Sequence, residues 1–531
     1  MGHEAESVLA SDPAGLPGVV KDEQHDGKLE SNSQLLGDEE EDTSGHLHGW
    51  RLWIVAILIS IVYFVVQVEI SIVTTSLVDI TQDIGGFQRA GWIMSAYLLG
   101  FVSFVVINSK LSDILGRKSV IIFRAFQGIG GGGSYALGSI LLIQIVPAKE
   151  ITNMASYSSI SFVLATVLGP IIGGGICQHT TWRWIFLFNV PIGLCAVAMA
   201  MIGIPNGYPH HEAAEKRRRA STSEICSKID LLGCTMLLLS TLAFASAFQE
   251  VNSQFSWDSA YFIVLVIVSL VILGLLLLWE RRVSLQDGSR EPVLPWRFIV
   301  RREMLGALLG LFLVGGSLGV TSFQLPQRFQ LVNNLDAVNA GARLLPFGGA
   351  STVGGMLIAR AYTKFKTPLV YIIIAGALLQ VVGYALLGTM DASANIPPKL
   401  YGYEIIAGVG CGISYLSLFA AVPFAAEKRD HAVGLGISHQ FRALGSALAI
   451  AVGVSIFNGH VMHSLKALGI PEPGKFVVTG ARHRLPPELR DDVGRVLADG
   501  YNYQMLLLCG FGGAQIFAAL LMWKRKQILP A

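Results

Sequence analysis

Three ionisable side chains lie inside stretches that are otherwise oily, and each has the chemistry to bind or hand on a charge. Glu69 sits about two-thirds along the apolar run 52–76, in Val68-Glu69-Ile70-Ser71-Ile72-Val73. A carboxylate there can take up and release a proton as its surroundings change. Arg442, with His439 and Gln440, lies mid-run in 432–457 and can hold an anion or answer a change of protonation nearby. Glu404 lies close to the start of run 400–421 and belongs either to a cavity or to the membrane interface. Placing an ionised group in mid-bilayer costs about 3 kcal/mol on insertion scales, so such residues usually face a watery cavity or a partner. The bland alternatives are an interfacial position for Glu69 and a structural hydrogen-bond anchor for Arg442.

These groups need a membrane-spanning scaffold, and the composition supplies one. Of 531 residues 52% are hydrophobic and only 14% are charged, against about 25% charged in soluble proteins. A helix needs roughly 20 apolar residues to cross about 30 Å of hydrocarbon. Runs of that kind lie near 52–76, 90–111, 125–146, 152–176, 185–203, 231–249, 259–279, 304–325, 339–359, 368–388, 400–421, 432–457 and 502–523. The 58 glycines suit helices that pack closely without a hydrophobic drive between them. The expected fold class is therefore an all-α polytopic membrane protein of about thirteen spans.

Basic residues orient it, because short cytoplasmic segments collect Lys and Arg. After residue 203, one alternating set of segments carries Lys216, Arg217, Arg218, Arg219 and Lys228, then the six arginines between 281 and 302. It goes on through Arg360, Lys364 and Lys366, Lys428 and Arg429, and Lys524 to Lys526. The opposite set carries only Arg328 and Lys399, with Arg343 near a helix end. The first set is expected to be cytoplasmic, as are both termini, and the mixed-charge stretch 458–501 to lie outside.

Several function classes drop out. A net charge of +2 argues against a nucleic-acid partner. The six cysteines are scattered with no paired motif, and the four histidines of the first 49 residues are irregularly spaced, so no metal and no cofactor is expected. That acid-rich stretch reads as a solvated tail, and no cleavable signal peptide is expected. The nearest phosphate-loop pattern, Gly469 to Lys475, is followed by Phe476 rather than Ser or Thr. No nucleophile constellation gathers near one membrane face, so an enzyme is not expected.

The motifs that remain resemble those of the major facilitator superfamily. Ser109-Lys110-Leu111-Ser112-Asp113-Ile114-Leu115-Gly116-Arg117-Lys118 resembles the family's loop between spans two and three, with Ser109 in place of its first Gly. One acid and two bases on such a turn can cap helix ends and latch one conformation. Arg124-Ala125-Phe126-Gln127-Gly128 is similar to the opening of the family's fourth helix, and Gly169-Pro170-Ile171-Ile172-Gly173-Gly174 to its antiporter motif. The string from Trp182 to Gly193 resembles the segment entering helix six of the fourteen-span drug:proton antiporters, including fungal exporters of toxins. The resemblance covers about residues 50–525. It implies two six-helix halves plus two inserted spans, and proton-coupled export of a small organic molecule by a monomer in the plasma membrane, the vacuolar membrane being the alternative. It also implies gating by Asp113, Gly116, Arg117 and Lys118. Coupling or substrate contact falls to Glu69, Arg124, Gln127, His439, Gln440, Arg442 and Glu404, and an ion seal to Gly169, Pro170, Gly173 and Gly174.

One departure stands against this scheme. Only Ser119-Val120-Ile121-Ile122-Phe123 separates Lys118 from Arg124, where the family has a whole third span. The basic residues report the same fault, since three spans rather than an even number lie between Lys118 and Lys216. A mis-spliced transcript and a divergent or non-transporting relative both account for it. The expected plan is a tail (1–49), an N-terminal half lacking its third span (50–204), a basic cytoplasmic segment (205–230) and two extra spans (231–280). Then follow a cytoplasmic segment (281–303), a C-terminal half (304–457), an outer loop (458–501), a last span (502–523) and a cytoplasmic end (524–531).

Overall fold

In hydrocarbon every unpaired backbone N–H or C=O costs several kcal/mol, so an apolar run of span length crosses only as a helix that satisfies its own backbone. The computed structural model is built in that way. It describes residues 49–84, scattered positions between 138 and 181, and 183–204, 230–251, 255–286, 292–365, 367–392, 396–426, 431–470 and 487–524. These residues form helices α1 (Trp50–Ile84), α2 (Arg183–Leu187), α3 (Asn189–Gly203), α4 (Leu231–Glu250), α5 (Ala260–Leu285) and α6 (Trp296–Val300). They continue as α7 (Arg302–Leu331), α8 (Ala337–Ala342), α9 (Leu345–Phe365), α10 (Leu369–Leu387), α11 (Lys399–Ala425), α12 (His431–Ala467) and α13 (Pro487–Leu521). Among the described residues, eight helices are long and apolar enough to cross a membrane.

Position in the bundle follows side-chain type. Of the spanning stretch of α7, 67% is buried, and it packs against α11, α12 and α13 as the central post of the C-terminal half. Only 11% of the corresponding stretch of α5 is buried. Its Ile267, Leu270 and Leu278 stand more than half exposed, as suits a helix turned to lipid. α9 and α10 flank α11, α1 rests on α3, α7 and α8, and α4 joins α5 to α12.

Polar groups fix the ends of the two inserted spans. Asp230 accepts from the Gly233 amide at 3.0 Å, capping α4, and from the Trp279 indole of α5 at 2.9 Å. Ser259 caps α5 through the Phe262 amide at 3.3 Å. At the far turn, Phe248, Trp257 and Phe262 meet edge to face at 5.0–5.9 Å. Asp230→Ala removes a cap and the acceptor of the Trp279 indole N–H, so it is expected to destabilise the chain by about 1–3 kcal/mol. A lowered thermal midpoint of the purified protein checks it.

Two expectations need correction. The stretch 458–501, read as a loop, is largely helical where it is described, since α12 runs on to Ala467 and α13 begins at Pro487. Both helices carry polar residues at these ends, which dilute the apolar run while the helix still satisfies its own backbone. Arg328, counted as a loop charge, lies within α7 and is buried. The run 339–359 is divided between α8 and α9, and 185–203 between α2 and α3. The tail, the Ser109–Lys118 turn and the stretch holding Arg124 and Gln127 lie outside the described residues.

Candidate functional site

α11 and α12 lie side by side, and their facing residues make the most chemically capable surface described. His439, Gln440 and Arg442 on α12 are all buried, at 1%, 3% and 9% exposure. The Arg442 guanidinium lies 5.8 Å over the Tyr415 ring, and the His439 ring sits 4.7 Å from that of Phe419. Tyr415 and Phe419 are one helical turn apart on α11 with centroids 6.1 Å apart, so two rings of α11 receive a cation and an imidazole from α12. An arginine over an aromatic face keeps its charge while part of its water is stripped, which suits contact with an anionic or aromatic solute. Gly315 of α7 admits this arrangement, because a Cβ there would overlap the Arg442 carbonyl oxygen.

Glu404 stands apart from that pair. Eleven residues along α11 separate it from Tyr415, about 16 Å of helix. It is completely buried, and neither carboxyl oxygen accepts a hydrogen bond from a described residue. Its charged neighbour is Arg343, which ends α8 and donates to the Tyr401 hydroxyl one turn before Glu404. Glu69 is partly buried on α1, flanked by the buried Val68 and Ile72, about 28 Å of helix from Trp50. Trp50 and Trp53, both more than half exposed in the first turn, suit an interfacial belt, which leaves Glu69 toward the opposite leaflet.

The glycine motif meets the C-terminal half. Gly169, Gly173 and Gly174 are buried, and a Cβ on Gly174 would come within 2.6 Å of the Val338 amide nitrogen and 2.9 Å of the Ala337 carbonyl carbon. Backbone touches backbone, so nothing at that seat can rotate aside. Gly175 next to it has nothing within 4 Å. Gly174→Val is expected to destabilise the protein by about 1–3 kcal/mol while Gly175→Val is tolerated, a contrast that thermal unfolding of the two variants measures. Pro170 and the Ser109–Lys118 turn lie outside the described residues.

Sequence reasoning missed a second buried polar layer in the C-terminal half. Arg328 donates to Asn502 Oδ1 at 2.7 Å and to the Met390 carbonyl at 3.2 Å, and Asn502 donates to the same carbonyl at 2.8 Å. The hydroxyls of Thr321 and Tyr384 lie 2.8 Å apart, and Tyr384 reaches Cys411 at 3.3 Å. Gln380 donates to Ser414 at 2.8 Å and to Gln515 at 3.0 Å. The available signal was a lone Gln380 and Tyr384 in an otherwise apolar run, since a polar group in lipid seeks a partner on the next helix.

Known proteins place this arrangement. The profile of the Major Facilitator Superfamily matches residues 119–450. The chain is 30% identical to an MFS-type transporter, FPY5, of Fusarium mangiferae across 99% of this chain and 94% of that protein. It is 25% identical to the efflux pump mokI of Monascus pilosus across 91% and 93%. Among solved structures, a bacterial homolog of the human lysosomal transporter Spinster, inward-facing and occupied, aligns with a TM-score of 0.53 at 13% identity, covering 91% of this chain and all of that one. A D-xylose–proton symporter aligns with a TM-score of 0.53 at 14% identity, covering 90% and 97%. With the profile matching residues 119–450 and the likeness to FPY5 running over nearly its whole length, the chain belongs to the Major Facilitator Superfamily.

Proposed function

We propose that this protein is a proton-coupled exporter of small organic molecules, of the fourteen-span drug:proton antiporter type, with a fungal secondary metabolite or toxin as its cargo. The observation that carries the reading is the set of ionisable groups held inside membrane helices, above all Arg442 over Tyr415 beside His439. Such groups are retained in lipid where they line a path for a polar or charged species. The close seat of Gly174 on α8 supports export, since a flat contact between backbones leaves no room for ions to slip past. Relatives named as efflux pumps point the same way. The cytoplasmic placement of both termini and residence in the plasma membrane complete the proposal.

The driving force is sufficient. One proton crossing about 100 mV releases about 2.3 kcal/mol, and a pH step of one to two units adds about 1.4–2.7 kcal/mol. The total sustains roughly a thousandfold gradient of a neutral solute. The test is efflux of candidate metabolites from cells lacking the protein, with and without this chain, while the proton gradient is collapsed. Export that persists unchanged after collapse would overturn the coupling.

A second reading, a relative disabled by the loss of a span, is favoured by two observations. Five residues separate Lys118 from Arg124. The alignment with FPY5 extends over 565 positions against 531 residues here, so at least 34 positions of the relative have no counterpart in this chain.

A further inference from the structure

Among the described spans α5 is the most open to lipid, and the stripe it turns outward ends in arginine. Val271, Leu275 and Leu278 stand at least half exposed. Arg282 and Leu285 follow at the same helical spacing, so all five share one face. Arg282 lies one turn, about 6 Å of helix, beyond Leu278. Its guanidinium therefore meets the level of the headgroups just past the leucines that face hydrocarbon. Arg281 stands on the flank of that face, 5.7 Å over the Trp296 ring of α6. Trp296 is tied to α5, because its amide donates to Ser284 Oγ at 2.9 Å and the nearby Val293 amide donates to Glu280 at 3.2 Å. Phe298 is buried and seats α6 in the core, while Val300 is more than half exposed. Both arginines are exposed, and no described carboxylate pairs with either. The neighbouring acids face elsewhere: Glu280 is buried, and Glu303 meets Arg302 and Lys524.

We propose that this corner binds one acidic phospholipid, its phosphate held by Arg281 and Arg282 and an acyl chain laid along Leu278, Leu275 and Val271. A guanidinium offers paired N–H donors that fit phosphate oxygens, and one resting on a tryptophan face is oriented before the lipid arrives. A zwitterionic lipid carries a compensating cation on the same headgroup, so two arginines favour a headgroup of net negative charge. Basic residues close to a membrane surface each add to the attraction for acidic lipid. The segment from Arg281 to Arg302 is also the one expected on the cytoplasmic side, whose leaflet carries such lipids. An arginine that served only to orient the chain would need neither the tryptophan platform nor the open apolar track beside it. The bound lipid bridges the end of α5 to α6, and through α6 to α7.

Native mass spectrometry of the full chain in detergent, titrated with phosphatidylserine or with phosphatidylcholine of the same chains, tests the site. The intact protein is expected to bind its first phosphatidylserine about tenfold more tightly than phosphatidylcholine. Arg281→Gln combined with Arg282→Gln should bring that ratio near unity. Lys399→Gln, the same loss of charge at the end of α11 away from Arg301, should leave it unchanged. Equal affinities in the intact chain, or a preference that survives the double substitution, overturns the proposal. So does a ratio that Lys399→Gln lowers as far, because net charge rather than this corner would then be responsible. Should the doubly substituted chain not fold, Arg282→Gln alone decides, a ratio equal to that of the intact chain sinking the proposal. Glycerophosphoserine, which has the headgroup but no chains, should not displace bound phosphatidylserine at equal concentration. Displacement would overturn the lipid in favour of a site for free phosphate esters.

Discussion

Glu69→Gln will abolish proton-driven efflux while leaving the amount of protein in the membrane unchanged. Gln matches Glu in size and keeps its hydrogen-bonding capacity, but it has no ionisable proton. It therefore removes the coupling without opening a cavity beside Val68 and Ile72, which pack in the core. The expected change is large, because an antiporter that cannot release its proton becomes at best a passive path. The solute ratio across the membrane then falls from roughly a thousandfold toward unity. Accumulation of a fluorescent substrate in acidified vesicles measures it, with membrane abundance followed in parallel. Efflux equal to the unsubstituted chain would show that Glu69 is an interfacial residue with no part in the cycle.

The second large effect comes from insertion rather than substitution. Placing an apolar span of about 20 residues between Lys118 and Arg124 is expected to raise membrane abundance several-fold and to raise efflux with it. The reasoning is topological. The basic residues at Lys110, Arg117 and Lys118 and again at Lys216 to Arg219 are both expected on the cytoplasmic side. The odd number of crossings expected between them would force one set to the wrong face or hold one run out of the membrane. Chains in that state expose apolar surface and are removed by quality control in proportion to the exposure. Quantitative immunoblotting of membrane fractions beside the efflux assay separates the two readings. No gain from the inserted span would mean that the short form is the working one.

How far the sequence could be read depended on which physical signal each feature left in it. The all-helical fold was legible because lipid permits few alternatives, and α1, α4, α5, α7, α10, α11 and α12 each cover a run of apolar residues seen in the chain. Helix ends were less legible. Polar residues such as Asn458, His460 and Arg495 dilute hydropathy, yet they sit on helices that reach beyond the apolar core. The pairing of Arg442 with Tyr415 and of His439 with Phe419 could not be read from either helix alone, because Tyr and Phe in an apolar run look like lipid-facing bulk. Arg328 shows the same limit. A basic residue near the end of a run reads as topogenic, and only the approach of Asn502 and the Met390 carbonyl shows it to be an internal anchor. Glu404 was visible as a charge in an apolar run, while its seclusion depended on the close packing of α9 and α10 on either side of α11.

The Arg328 anchor also constrains how the C-terminal half can move. A single guanidinium ties α7 to α13 and to the residues that follow α10, so at that level three elements behave as one plate. A plate riveted along one rim cannot fan open there. Any rearrangement within this half has to pivot about that rim and be widest at the opposite one, where the buried Glu303 meets the half-exposed Lys524 at 2.9 Å.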